Sequence, residues 1–189
     1  MKLGKIKTLC KNREIVELYT RRDGRQFLSD GCGVWMVDDG FMLDEHLIRV
    51  IFEVTAKKWS EKWRFDSYDF EGGELAGSVA ECLLEDAWSA GSEKELIPLH
   101  EYALIAGEEL RMFAVRGGNE SRYIWASAAQ FAACPDAADA YMLREAPDGS
   151  RAIAVYEGML MSALVRVPNA ENQRLIAQKL RELAEMEMI

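Results

Sequence analysis

The chain has 189 residues, 49% of them hydrophobic and 29% charged, which is enough to bury one sizeable core or two small ones sharing a sheet. A formal net charge of -9 excludes a surface shaped throughout for nucleic acid or anionic membrane, while leaving room for a local basic patch. No window approaches the ~20 apolar residues of a membrane span, and the N-terminal MKLGKIKTLCKNRE lacks a continuous apolar stretch. Cys10, Cys32, Cys82 and Cys134 are scattered without a CxxC pair, so reduced thiols acting as small apolar fillers in a soluble, cytoplasmic protein are expected.

In chain order, Leu3, Ile6, Leu9 and Cys10 recur at helical spacing and predict a short amphipathic helix over Lys2 to Lys11. Period-two alternation over Ile15 to Thr20 predicts a strand, and Asp23-Gly24 a hairpin turn into a second strand, Arg25 to Ser29. Asp30-Gly31-Cys32-Gly33 then reads as another turn before a third strand, Val34 to Val37. Cys32 between two glycines has a second reading, an exposed thiol nucleophile, but no histidine lies near it in sequence and a hairpin accounts for the glycines.

Asp44 is a candidate N-cap for a helix whose apolar stripe is Leu47, Ile48, Ile51 and Phe52, with His46 in its first turn. Thr55 is placed to cap a second helix, Ala56 to Trp63. The segment KKWSEKWRF interleaves Lys57, Lys58, Lys62 and Arg64 with Trp59 and Trp63, which lie on one helical face. Such a surface holds nucleic acid by stacking and charge. The competing reading, favoured because Glu61, Asp66 and Asp69 dilute the positive field, seats the tryptophans in the core and leaves the lysines solvated.

Residues 66–95 are acidic and glycine-bearing and read as an irregular connector; Gly72, Gly73 and Gly77 lack the GK[ST] of a phosphate loop. β character returns from Leu96 to Val115, with a hairpin about Gly107-Glu108-Glu109. Ser121 to Trp125 predicts another strand and Ala126 to Cys134 a helix stopped by Pro135. His46 and His100 have no Ser, Asp or Cys partner at a known spacing, so neither a triad nor a metal site is expected, and no cofactor is implied. Tyr141 to Ala146, Arg151 to Tyr156 and Met159 to Val167 then form three strands joined by Pro147-Asp148-Gly149-Ser150 and Glu157-Gly158. Asn169 caps a last helix striped by Ile176, Leu180 and Leu183, joined by Leu175.

The two ends correspond element by element: helix, strand, Asp23-Gly24, strand, Asp30-Gly31, strand against helix, strand, Asp148-Gly149, strand, Glu157-Gly158, strand. The expected fold class is therefore α+β, an antiparallel sheet from two related helix-plus-three-strand meander units closed by a C-terminal helix. Three segments follow from this, an N-terminal unit 1–65, the connector 66–95 and a C-terminal unit 96–189, packed as one compact domain.

The segments LDEHLIRVIFEV, YMLREAPDGSRAIAVYEGMLMSALVRV, KIKTLCKNREIVELY and QFLSDGCGVWMV together resemble small uncharacterised proteins encoded in prophages of anaerobic Gram-positive bacteria. That resemblance implies phage biology in the bacterial cytoplasm and brings no activity with it. More loosely, the repeated layout is similar to that of DNA sliding-clamp domains, a likeness of architecture without a shared motif. The expectation is a non-enzymatic accessory or binding protein, DNA-associated through Lys57, Lys58, Trp59, Lys62, Trp63 and Arg64, with self-association or a protein partner. The alternatives are a metal-dependent hydrolase or nuclease using Asp38, Asp39 and Asp44, and a structural or host-interaction protein.

Overall fold

A computed structural model of the chain describes residues 2–21, 23–37, 42–69, 93–105, 107–117, 123–136, 138–146 and 149–186, side chains excepted at 101, 170, 181 and 183–186. The first meander follows α1 (Leu3–Arg13) and consists of β1 (Ile15–Thr20), β2 (Gln26–Ser29) and β3 (Gly33–Val37). Next come α2 (Glu45–Ile51), α3 (Ala56–Lys62) and β4 (Arg64–Asp69). The second half runs β5 (Glu93–Ile105), β6 (Glu108–Val115), β7 (Tyr123–Ser127), α4 (Ala128–Phe131), β8 (Ala140–Glu145), β9 (Arg151–Glu157), β10 (Leu160–Arg166) and α5 (Ala170–Met186).

Local signals place most of these elements. Asp44 Oδ1 accepts from the Leu47 N–H at 2.7 Å, Thr55 Oγ1 from Lys58 at 3.3 Å and Asn169 Oδ1 from Asn172 at 2.8 Å, each satisfying an otherwise orphaned helix donor. Gly24, at φ +82°, turns the first hairpin in the left-handed region that glycine enters without steric cost.

The ten described strands form one sheet in the order β4-β1-β2-β3-β10-β9-β8-β5-β6-β7. Every neighbouring pair is antiparallel except β1 with β4, which run parallel from Ile15 opposite Arg64. The two meanders abut through their third strands, with Trp35 opposite Ala163 and Val34 opposite Leu164. Alternation along each strand divides the residues between two faces. Val16, Leu18, Leu28, Trp35, Ile153 and Val165 join Ile6 and Cys10 of α1, Ile48 of α2, Trp59 of α3 and Phe131 of α4 in the main core. On the opposite face, Tyr19, Phe27, Val34, Ala154, Met161 and Leu164 form a second cluster, and Ile176 and Leu180 of α5 pack on Ala103, Leu110 and Trp125.

Burial of 35 apolar residues among those described is what holds these layers together, at roughly 1.5–3 kcal/mol per large side chain. Arg144 is the conspicuous polar occupant, fully buried on β8; its Nε meets Glu93 Oε1 of β5 at 3.1 Å, and it also donates to the Tyr156 hydroxyl.

The structure redraws several expected boundaries. The connector is not irregular at its ends: residues 66–69 belong to β4 and 93–95 to β5, and residues 70–92 lie outside the described residues. The helix expected over Ala126 to Cys134 shrinks to one turn, because Ala126 and Ser127 continue β7 opposite Arg111 and Leu110. Pairing across an existing sheet outweighs the high helix propensity of an alanine-rich run. The helical counterparts of the two meanders are consequently unequal, eleven residues in α1 against four in α4. Leu175 is half exposed and does not join the α5 stripe.

Candidate functional site

The lysine–tryptophan segment folds with its charges out and its rings in. Trp59 is 5% exposed, donates Nε1 to Glu45 Oε1 at 2.7 Å and stacks on Trp63 with ring centroids 5.1 Å apart. Trp63 also tilts against Phe52, so the ring faces meet each other and the core. Lys57, Lys58 and Lys62 are exposed on α3, and Arg64, likewise exposed, is paired with Asp66 at 2.6 Å. This surface offers charge without a free aromatic platform.

Of the three carboxylates, only Asp44 lies among the described residues. Asp44 is occupied as an N-cap, while Asp38 and Asp39 lie outside the described residues. Among the described residues no three His, Cys, Asp or Glu side chains are grouped to hold a metal ion. His46 and His100 are both exposed and on separate elements, α2 and β5.

A different arrangement draws charge together. The register of β5 against β6 shifts between Pro98 and Tyr102, where a proline without an N–H interrupts the ladder. Beyond this bulge the β5–β6 hairpin continues to Gly107, at φ +81°, and its tip residues Ile105 and Glu108 line a cleft with the β2–β3 turn, the start of β9, the end of β10 and the first turns of α5. The cleft encloses about 580 Å³. Four cations converge on it from four elements: Arg13 ends α1, Arg151 opens β9, Arg166 closes β10 and Lys179 projects from α5. Among the described lining residues Glu108 is the one carboxylate, and Ser127, Ser150, Asn169 and Asn172 add neutral hydrogen-bonding groups.

The cations are largely unspent. Arg13 lies 3.5 Å from Asp30, and Arg151 donates to the Pro168 carbonyl at 3.4 Å. Arg151, Arg166 and Lys179 have no carboxylate within ion-pair distance among the described residues. Cys32 lines the same cleft and its carbonyl accepts from the Arg166 N–H at 2.9 Å. Burial pushes the Cys32 thiol above its ordinary value, and the nearby Arg13 and Arg166 only partly offset this against Asp30 and Glu108. A thiol so placed carries little thiolate at neutral pH, which is the opposite of an activated nucleophile.

The floor of the cleft is tied together by hydrogen bonds. Buried Asp30 accepts from the Cys32 and Gly33 N–H groups through Oδ1, both at 2.9 Å, and from Gln130 Nε2 through Oδ2 at 3.0 Å. Gln130 in turn accepts the Trp35 indole N–H on its carbonyl at 3.2 Å. Gly31, at φ +84°, is a turn glycine; Gly33 has another reason, since a Cβ there would come within 2.3 Å of Gln130 Oε1 and 2.4 Å of the Trp35 ring. Cys10 and Cys134 are buried beneath, and burial raises both thiols, Cys134 to about 12.

Sequence reasoning singled out Lys57 to Arg64 because their charges are contiguous. It missed Arg13, Arg151, Arg166 and Lys179 because they are dispersed along the whole chain. A usable signal exists only in retrospect: Arg13, Arg151 and Arg166 each sit at the end of a helix or strand, where converging elements bring termini together. Among the described residues no helix is long and apolar enough to cross a membrane. The chain matches no protein-family model, no curated protein and no solved structure.

Proposed function

We propose that the protein is a non-enzymatic accessory protein of the phage-derived, cytoplasmic kind its resemblance implies, and that it binds a phosphate-bearing ligand in the cleft of Arg13, Arg151, Arg166 and Lys179. The carrying observation is the concentration, among the described lining residues, of four cations against one carboxylate in a chain whose net charge is -9. Without an anion, such a cluster is self-repelling; with one, it supplies charge-assisted hydrogen bonds from two or more guanidinium forks. None of the described residues lining the cleft is aromatic, so recognition is placed on phosphate oxygens and is independent of base sequence. The phosphate comes from a nucleic-acid strand or from a free nucleotide, and the clamp-like form of the first adds self-association about DNA.

Fluorescence anisotropy with labelled duplex and single-stranded oligonucleotides, at low and raised salt, tests this, with a mononucleotide as competitor. Binding is expected to weaken with salt, and the log–log slope to fall by roughly 0.9 for each duplex phosphate contact removed in an Arg151→Ala, Arg166→Ala, Lys179→Ala triple variant. Loss on replacing Lys57, Lys58, Lys62 and Arg64 instead would move the interface to α3. Absence of binding by the intact protein to duplex, single strand and nucleotide at low salt overturns the proposal.

A further inference from the structure

Arg111, on β6, is not among the residues lining the phosphate cleft, and among the described cations it is the one set against three aromatic rings. Its guanidinium carbon lies 5.2 Å from the centroid of Phe113, 5.5 Å from that of Phe131 and 5.3 Å from that of Tyr141. These rings also contact one another, Phe113 with Phe131 at 5.1 Å and with Tyr141 at 5.4 Å. The cage is therefore fixed on β6, α4 and β8 whether or not anything is bound. Within it, Arg111 Nε is buried without a hydrogen-bond partner. Among the described residues the guanidinium forms no ion pair and no hydrogen bond, although the residue lines a cavity of about 850 Å³.

The Arg111 Nε–H is cut off from water, and a buried donor is costly unless something replaces that water. The ring quadrupoles stabilise the cation, but they give this N–H no oxygen acceptor. The carboxylates nearest to hand are committed elsewhere or point outward. Asp30 is occupied by the Cys32 and Gly33 N–H groups and by Gln130, Asp136 is paired with Lys2 at 2.5 Å, and Glu108 and Glu109 are exposed on the hairpin tip.

We infer that Arg111 is the receptor for a small monocarboxylate that enters this cavity. A guanidinium packed among three rings, with no acceptor on its Nε–H, keeps its planar fork of donors, and the ligand that matches two parallel N–H donors in one plane is a carboxylate. Among the described lining residues, Asp30, Glu108, Glu109 and Asp136 stand against Lys2, Arg13 and Arg111, a balance that disfavours a phosphate dianion more than a single negative charge. Leu9, Tyr102 and Phe131 line the same space and give the ligand an apolar or aromatic body to pack against. The inference does not rest on Arg151, Arg166 or Lys179, which are not among the described residues lining this cavity, although Arg13 and Glu108 line both spaces.

The test is a nitrogen-15 NMR titration of the full chain, following the Nε–H signal of Arg111, assigned by its loss in Arg111→Lys. Benzoate is the probe, benzamide its neutral isostere and inorganic phosphate the competing anion. Benzoate is expected to move the Arg111 signal saturably, benzamide to leave it in place, and phosphate to act on signals around Arg166. Arg111→Lys keeps the caged charge but loses the fork, and should weaken benzoate by about tenfold or more. An Arg111 signal unmoved by benzoate, an equal response to benzamide, or undiminished benzoate binding by Arg111→Lys each overturns the assignment.

Discussion

Asp30 and Gln130, a hundred residues apart in sequence, meet through a buried hydrogen bond of 3.0 Å from Gln130 Nε2 to Asp30 Oδ2. That bond ties the one-turn helix α4 to the turn between β2 and β3, and it sets the floor on which the cationic side chains of the cleft are arranged. Because both residues are at most 5% exposed, neither finds water as a substitute partner.

Asp30→Ala should therefore be among the more damaging single changes. It leaves the Cys32 and Gly33 N–H groups and the Gln130 amide without their acceptor, and it frees Arg13 from its partner at 3.5 Å. A loss of about 2–4 kcal/mol is expected in urea unfolding. A loss under about 0.5 kcal/mol, the range of ordinary surface changes, would show that the network carries no structural load.

Gly33→Ala is expected to destabilise through overlap and not through backbone strain. The added Cβ falls 2.3 Å from Gln130 Oε1 and 2.4 Å from the Trp35 ring, and the buried indole has little room to yield. Overpacking of this kind costs about 1–3 kcal/mol. Gly24→Ala makes a useful contrast, as its Cβ meets nothing within 4 Å and its cost comes from φ +82° alone. Thermal melts of both variants, with near-ultraviolet circular dichroism of the Trp35 environment, should show an altered aromatic signal only for Gly33→Ala.

These two positions also mark where sequence reading succeeds and where it stops. The hairpins were legible because Gly24 and Gly31 stand at turns that demand positive φ, and the helix starts because Asp44, Thr55 and Asn169 are local caps. The role of Gly33 was not, since its neighbour Gln130 arrives from the other meander. Trp59 and Trp63 were legible as a pair on one face, and which way that face turns was left to packing against Phe52 and Phe65. The cleft was illegible for the same physical reason. Its charges come from Arg13, Arg151, Arg166 and Lys179, and only tertiary convergence brings them within reach of one ligand.

The Arg144–Glu93 pair predicts an asymmetry between its two partners. Glu93→Ala takes a carboxylate partner from a fully buried guanidinium, whereas Arg144→Met removes the charge itself and leaves a 24%-exposed glutamate that water can reach. Glu93→Ala is expected to cost about 1–3 kcal/mol, less than the ~3–5 kcal/mol of a fully enclosed pair. In a double-mutant cycle, the combined variant should be more stable than the sum of the single losses predicts. Strict additivity in denaturant unfolding would mean that the two side chains are not coupled.

A last prediction concerns acid. Asp23, in the β1–β2 turn, is opposed by slight burial, but hydrogen bonds from Arg25 and the charges of Arg21 and Arg25 prevail and hold its carboxyl below the usual range. A depressed folded-state pKa means that the unfolded chain binds the proton more readily. The contribution to stability is thus complete above the ordinary carboxylate range near pH 4 and is lost as pH falls through the lower folded value. Because the side chain is 41% exposed, solvent screening keeps the contribution below about 1 kcal/mol. Asp23→Asn should accordingly be slightly less stable than the parent at neutral pH, with the two unfolding curves converging as the buffer is taken below the folded-state pKa. A difference that persisted undiminished in strong acid would assign the effect to turn geometry, since Asp23 Oδ1 also accepts the Arg25 N–H at 3.1 Å, and not to charge.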